Sequence, residues 1–324
     1  MKRRTLLGIA MAVAVLPAAA VAADYPSRDI RVINPWAAGG GTDGIIRKLT
    51  TLAEADIGAG MYVENIEGGN SATGVTQLMK AKPDGYTIGV LTYDSVVTVP
   101  WQGVLPSYRM DKLKIIARLT SEPDAIIVDA KSPYQSVGDL LDAARQDPGK
   151  VRIAVQNLGG RVHLALLKLQ TMTDTEFKIV SYPGGAAPQK EAILSDEVDV
   201  VITSLGDFAN LIEDGTVRGV MEFSDTPNPT YPDVPTSVGE GIDLVNGSFI
   251  LLAAPAGTPD DVIARIEAAY DAAEHSEDFQ GWVAKAGVTP NFLGSDQVTQ
   301  WADETARSFF AEMDALVEAG ILSK

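Results

Sequence analysis

Cysteine is absent from the 324 residues, and only two histidines, His163 and His275, are present. Without thiols there is no disulfide, no thiol nucleophile and no thiolate metal ligand. Basic residues are also scarce: 26 Lys and Arg stand against 43 Asp and Glu, for a net charge of −17. That balance argues against nucleic acid or an anionic membrane surface as a partner. It does not exclude a small anion, because salt screens charge beyond about 8 Å and local donors decide. Long apolar runs are missing too. The run from Leu6 to Leu16 is far shorter than the roughly 20 residues needed to cross a bilayer.

That run follows Lys2, Arg3 and Arg4 and precedes Pro17 and Ala20-Val21-Ala22, the arrangement of a secretory signal peptide. Residues 1–23 are expected to be removed, leaving the mature chain in the periplasm. Arg3-Arg4 followed by Thr5-Leu6-Leu7 also fits a twin-arginine signal, so the export route stays open. Without its three basic residues the balance becomes 23 against 43, or −20.

About 300 mature residues exceed one compact core, so two lobes are expected. Short β-branched runs alternate with helical patterns, the signature of βαβ units. The first unit reads as strand Ile30 to Pro35, loop Trp36 to Gly41, and a helix from Asp43 to Ile57 with Thr42 as N-cap. Strand Met61 to Ile66, helix Ala72 to Lys80 and strand Tyr86 to Thr92 complete that half. The second set begins at strand Ala125 to Asp129 and ends at strand Val217 to Phe223. The proline-rich stretch Thr226 to Pro235 reads as the crossing back, before strand Phe249 to Ala254 and a helical C-terminal region. Residues 24–121 and 226–324 are expected to form lobe 1 and residues 122–225 lobe 2, with a ligand cleft at the carboxyl ends of the sheets.

The strongest local signal is Pro35-Trp36-Ala37-Ala38-Gly39-Gly40-Gly41-Thr42-Asp43. Such a loop lets backbone approach a ligand and offers helix-start amides to an anion; equally, it is a tight turn with Asp43 helping the cap. It lacks the Gly-Lys-Ser/Thr ending of a phosphate loop and the G-x-G-x-x-G dinucleotide spacing.

In order along the chain, several blocks resemble the Bug, or tripartite tricarboxylate transporter receptor, family. They are Tyr25-Pro26-Ser27-Arg28, the Pro35 to Asp43 loop, Val63-Glu64-Asn65, Lys82 to Thr87, Tyr231 to Thr236 and Ala254 to Pro259. The resemblance implies a type II periplasmic-binding fold: two doubly wound α/β lobes, a hinge, and a carboxylate gripped by loops from both lobes. It also implies a two-subunit membrane permease as partner. Glu67-Gly68-Gly69-Asn70-Ser71 departs from the family's usual run there, as does the second-lobe loop Asn157-Leu158-Gly159-Gly160-Arg161-Val162-His163, where Arg161 is the unusual residue.

An arginine opening a helix opposes the macrodipole. Either it grips a ligand carboxylate, which would favour a di- or tricarboxylate, or it pairs with a neighbouring acid. His163 reads better as packing or a structural hydrogen bond. The remaining candidates lie at strand ends: Tyr93 and Ser95, Tyr182 and Gly184, and Ser204 with Asp207, each equally readable as turn or cap. Trp36, Ala38, Gly39, Gly40, Thr42, Asn157, Gly159, Gly160 and Arg161 complete the candidate ligand contacts.

No H-E-x-x-H or G-x-S-x-G occurs. Asp43, Asp94 and Asp207 are placed to meet in the cleft, yet carboxylates without spacing evidence are unspecific. The chain therefore reads as a monomeric binding protein with no catalytic residues, cofactor or metal. A receptor feeding a histidine kinase, and more remotely a periplasmic enzyme, are the alternatives.

Overall fold

A computed structural model describes residues 25–183, 185–320 and 322. The expected signal peptide and Gly184 lie outside the described residues. In chain order the elements are β1 (Ile30–Asn34), α1 (Gly41–Ile57), β2 (Met61–Asn65), α2 (Ala72–Met79), β3 (Thr87–Leu91), α3 (Val99–Gln102) and β4 (Leu113–Asp129). There follow α4 (Val137–Gln146), β5 (Arg152–Val155), α5 (Arg161–Thr173), β6 (Lys178–Ser181), α6 (Ala186–Leu194), β7 (Val200–Ser204), α7 (Ala209–Glu213) and β8 (Val217–Glu222). The chain closes with β9 (Gly247–Pro255), α8 (Asp260–His275), α9 (Glu277–Ala286), β10 (Pro290–Leu293) and α10 (Ser295–Glu318).

Two sheets share one long strand. Parallel β2, β1 and β3 join antiparallel β9, which pairs with β4 from Leu113 to Pro123. From Asp124 onward β4 pairs instead with β7 and β8, and parallel β5 and β6 extend that second sheet. The change of partner falls at Pro123, which has no N–H to donate to a ladder.

Each sheet is buried on both faces. Ile45, Ile46 and Leu49 of α1 pack with Ile263 and Ile266 of α8 on one side of the first sheet. Leu78, Trp101, Phe249 and Met313 fill the other. Leu140, Leu166 and Leu169 cover one face of the second sheet, and Ile193, Val198 and Phe208 the opposite one. α4 is started by a capping box: Ser136 Oγ accepts from Asp139 N at 3.1 Å, and Asp139 Oδ2 accepts from Ser136 N at 2.9 Å.

Three expectations change. The strand expected from Ala125 begins at Leu113, because register shifts after Ile115 and after Arg118 break the alternation a sequence reading depends on. The return to the first sheet occurs at Gly247, not within Thr226 to Pro235. Residues 236–244 stay with the second sheet, since Thr236 bridges Glu222 and both Ile242 and Leu244 join its core. The N-cap of α1 is Gly40, two residues before Thr42.

Candidate functional site

The loops after β1 and β5 are built alike. Gly39 and Gly159 both take left-handed φ values, +82° and +74°, a conformation open to glycine at little cost. Gly40 and Gly160 are the N-caps, with φ/ψ of −80°/173° and −85°/174°. Gly39 N donates to Asp43 Oδ2 at 2.9 Å, and Gly159 N donates to His163 Nδ1 at 2.9 Å. Asp43 and His163 thus tie equivalent loops from equivalent positions. Gly41 and Arg161 then correspond, each opening a helix whose first amides have no partner within the helix.

Asp43 is buried and also accepts from Asn34, Asn65 and Arg47. Burial pushes its carboxyl up, but these four donors outweigh that and hold it below the usual range. His163 accepts with Nδ1, so its proton sits on Nε2; burial lowers its pKa. Both residues shape loops and do not face the cleft.

Between the sheets lies a cavity of about 70 Å³. Lobe 1 contributes Trp36, Gly41, Thr42, Thr92 and Asp94, and the second sheet with its helices contributes Gln156, Arg161, Ala186, Ser204 and Asp207. Glu122 of β4 and Ser248 of β9 form its floor at the strand crossing. The starts of α1, α5 and α6 converge there, through Gly41, Arg161 and Ala186. Trp36 Nε1 donates to Thr92 Oγ1 at 3.2 Å, fixing the ring at the rim. Larger cavities flank the chamber: about 500 Å³ beside Gly39, Gly40, Lys190 and Lys285, and about 490 Å³ beside Trp36, Gln102 and Asn157.

Arg161 is 7% exposed and pairs with fully buried Asp124. Burial works against its charge, but Asp124 more than compensates and raises its pKa. Asp124 is also held by Asn246 Nδ2 at 2.6 Å, beside the point where the chain crosses back to the first sheet. Burial raises the Asp124 and Asp94 carboxyls, each opposed by Arg161. Glu122 is pushed up to about 7, by burial first and then by Asp207. Asp94 Oδ1 and Glu122 Oε1 are shielded from solvent and have no hydrogen-bond partner.

The structure brings Trp36, Thr42, Arg161, Ser204 and Asp207 to the central cavity, and Gly39, Gly40 and Asn157 to its flanks. Ala38, Gly159 and Gly160 sit on the two loops without lining these cavities. Tyr93 belongs to the core instead, 1% exposed and packed on Phe249 and Phe309. Ser95 is buried, donating to Ser71 Oγ and accepting from Thr92 N. Tyr182 turns outward to Glu197 Oε2 at 3.0 Å. Sequence reasoning missed Glu122, Thr92, Gln156 and Ser248. Glu122-Pro123-Asp124, two acids around a proline between apolar runs, was the available signal.

The model of the tripartite tricarboxylate transporter family receptor matches residues 45–316. Among solved structures, the periplasmic binding protein BugD superposes with a TM-score of 0.81 at 24% identity, covering 93% of this chain and 100% of that one. MatC from Rhodopseudomonas palustris with bound malate gives 0.80 at 22% identity, covering 89% and 99%. An R. palustris protein with adipate gives 0.83 at 23%, covering 90% and 98%.

Proposed function

Because the chain belongs to the tripartite tricarboxylate transporter receptor family, we propose that it is a periplasmic solute-binding receptor. In this reading it captures a small carboxylate between its lobes and hands it to a two-subunit membrane permease. One observation carries the reading: the starts of α1, α5 and α6 meet at a single chamber between two sheets joined by β4. Helix starts present amides and a positive dipole end to an anion, and hydrogen bonds to a charged group are worth about 1.5–3 kcal/mol each. The malate and adipate held by two proteins of the same fold support the ligand class. A free Arg161 would argue for a second ligand carboxylate, but its pairing with Asp124 removes that argument.

Closure follows from the strand crossing. Lobe 2 touches lobe 1 at Gly206 against the Gly287 backbone, at Asp207 against Gly41, and through the ion pair of Lys168 with Glu312. A carboxylate bound to both lobes would favour the state in which these contacts are made. A thermal-shift screen of carboxylates tests the function, since a ligand at 100 times its Kd adds about 2.7 kcal/mol. Failure of every carboxylate to stabilise the protein would contradict it. Deleting the gene should also abolish cellular uptake of the carboxylate that binds.

A further inference from the structure

We propose that Glu122 meets the ligand's carboxylate as a protonated acid and donates its O–H to it, so that at alkaline pH the receptor takes up one proton with each ligand. The inference rests on the receptor reading and names a residue that sets affinity within the same site; the ligand's carboxylate would lie on the amides that open α1.

Gly41, Glu122 and Asp207 line both the central chamber and the 500 Å³ cavity beside it, so the two spaces adjoin between the start of α1 and these two acids. A carboxylate seated on that helix start therefore has Glu122 and Asp207 as neighbours. The guanidinium that could offset them, Arg161, is already paired with Asp124. An ionised ligand carboxylate has no proton to donate, so beside two ionised acids it is repelled. A single proton on one of the acids turns the repulsion into a charge-assisted O–H···O⁻ hydrogen bond, roughly twice as strong as a neutral one.

Hydrogen bonding selects Glu122 as the acid that carries the proton. Asp207 Oδ2 accepts the Thr203 hydroxyl at 2.5 Å, and its Oδ1 lies against the start of α1, where a methyl group at Gly41 would sit 2.5 Å away. A donor and a helix start both favour the ionised form. Asp94 is placed likewise, facing the Arg161 amide that opens α5. Glu122 Oε1 is shielded from solvent and has no hydrogen-bond partner. With no donor to hold that oxygen as a carboxylate, protonation gives it the partner it lacks: the O–H points into the chamber, toward an acceptor on the ligand.

The charges around Glu122 act in the same direction. Burial, Asp207 after β7 and Asp124 on β4 push its carboxyl up, Arg161 of α5 opposes them, and the result is about 7. Asp94 after β3 lines the same chamber, and Lys190 of α6 and Lys285 of α9 line the adjoining cavity. Burial moves His163, on the α5 loop, down and away from this range. A bound carboxylate adds a negative charge and an acceptor, and so raises Glu122 further. Below pH 7 Glu122 already carries its proton; above it the proton must come from solvent, and affinity should fall about tenfold from pH 6 to pH 8.

The test is calorimetry with malate, adipate, lactate and benzoate at pH 6 and pH 8, each in two buffers of different ionisation enthalpy. For a probe that binds, we expect affinity to fall about tenfold between the two pH values, and the buffer dependence of the enthalpy at pH 8 to report uptake of about one proton. Glu122→Gln keeps a neutral N–H donor in the same place without a titrating group. It should remove the pH dependence and bind more tightly than wild type at pH 8. If Glu122→Gln fails to fold, the wild-type pH trend and proton count decide. Affinity that is constant or rises with pH, no proton uptake at pH 8, or a Glu122→Gln variant that keeps the wild-type slope overturns the inference and leaves the receptor reading intact. Binding of none of the four probes at either pH sinks both.

Discussion

Arg161 offers the sharpest energetic test, because sequence alone left it between ligand contact and internal pairing. Arg161→Met removes the partner of an Asp124 that is 0% exposed. Breaking a buried pair from one side typically costs about 3–5 kcal/mol, since the remaining charge is left unsolvated. Asn246 Nδ2, at 2.6 Å, remains but is neutral, so it offsets only part of that loss. Adding Asp124→Asn keeps the Asn246 contact and removes the stranded charge; the double variant should recover to within about 1 kcal/mol of wild type. Urea unfolding followed by tryptophan fluorescence reads both. The single variant should also regain stability as pH falls, because an unpaired buried Asp124 carboxyl then accepts its proton. A single-variant loss under about 1 kcal/mol, or a double variant no better than the single, would refute the view that Arg161 is committed to Asp124.

Glu122 gives a pH prediction. Its folded carboxyl titrates at about 7 against an ordinary 4.5, so the folded state holds a proton that the unfolded state has released. Stability should fall by about 3 kcal/mol as pH rises through that window, and Glu122→Gln should flatten the slope; an unchanged slope would contradict it. Gly206→Ala would place a methyl 2.8 Å from the Gly287 carbonyl of the opposite lobe, which backbone cannot yield. Small-angle scattering should show a larger radius of gyration and calorimetry a loss of ligand affinity, with neither change expected if that contact is not part of closure. Ser136→Ala removes the α4 cap far from the chamber and should cost about 1 kcal/mol with ligand affinity unchanged.

The alternation of β-branched runs and helical patterns made the two doubly wound units legible. The buried faces of α1 and α8 follow the 3.6-residue period, whereas α5 is buried nearly all round over its first nine residues. The first half of β4 was hidden because its bulges break period two and Lys114 and Arg118 interrupt the apolar run. The likeness of the two glycine loops was present in Gly39-Gly40-Gly41-Thr42-Asp43 and Gly159-Gly160-Arg161-Val162-His163. It escapes notice because the tying residue is a carboxylate in one and an imidazole in the other. Of the chamber's acids, Asp94 and Asp207 were legible as strand-end residues facing the cleft, whereas Glu122 was not, because it lies inside the crossing strand, and Asp43, expected beside them, ties its own loop instead.

A crystal structure with the tightest-binding carboxylate tests the central claim most directly. The account predicts the ligand in the chamber between the sheets, its carboxylate on the amides of Gly41 and Thr42, touching residues of both lobes. A ligand bound to one lobe alone, or outside the chamber, would contradict it.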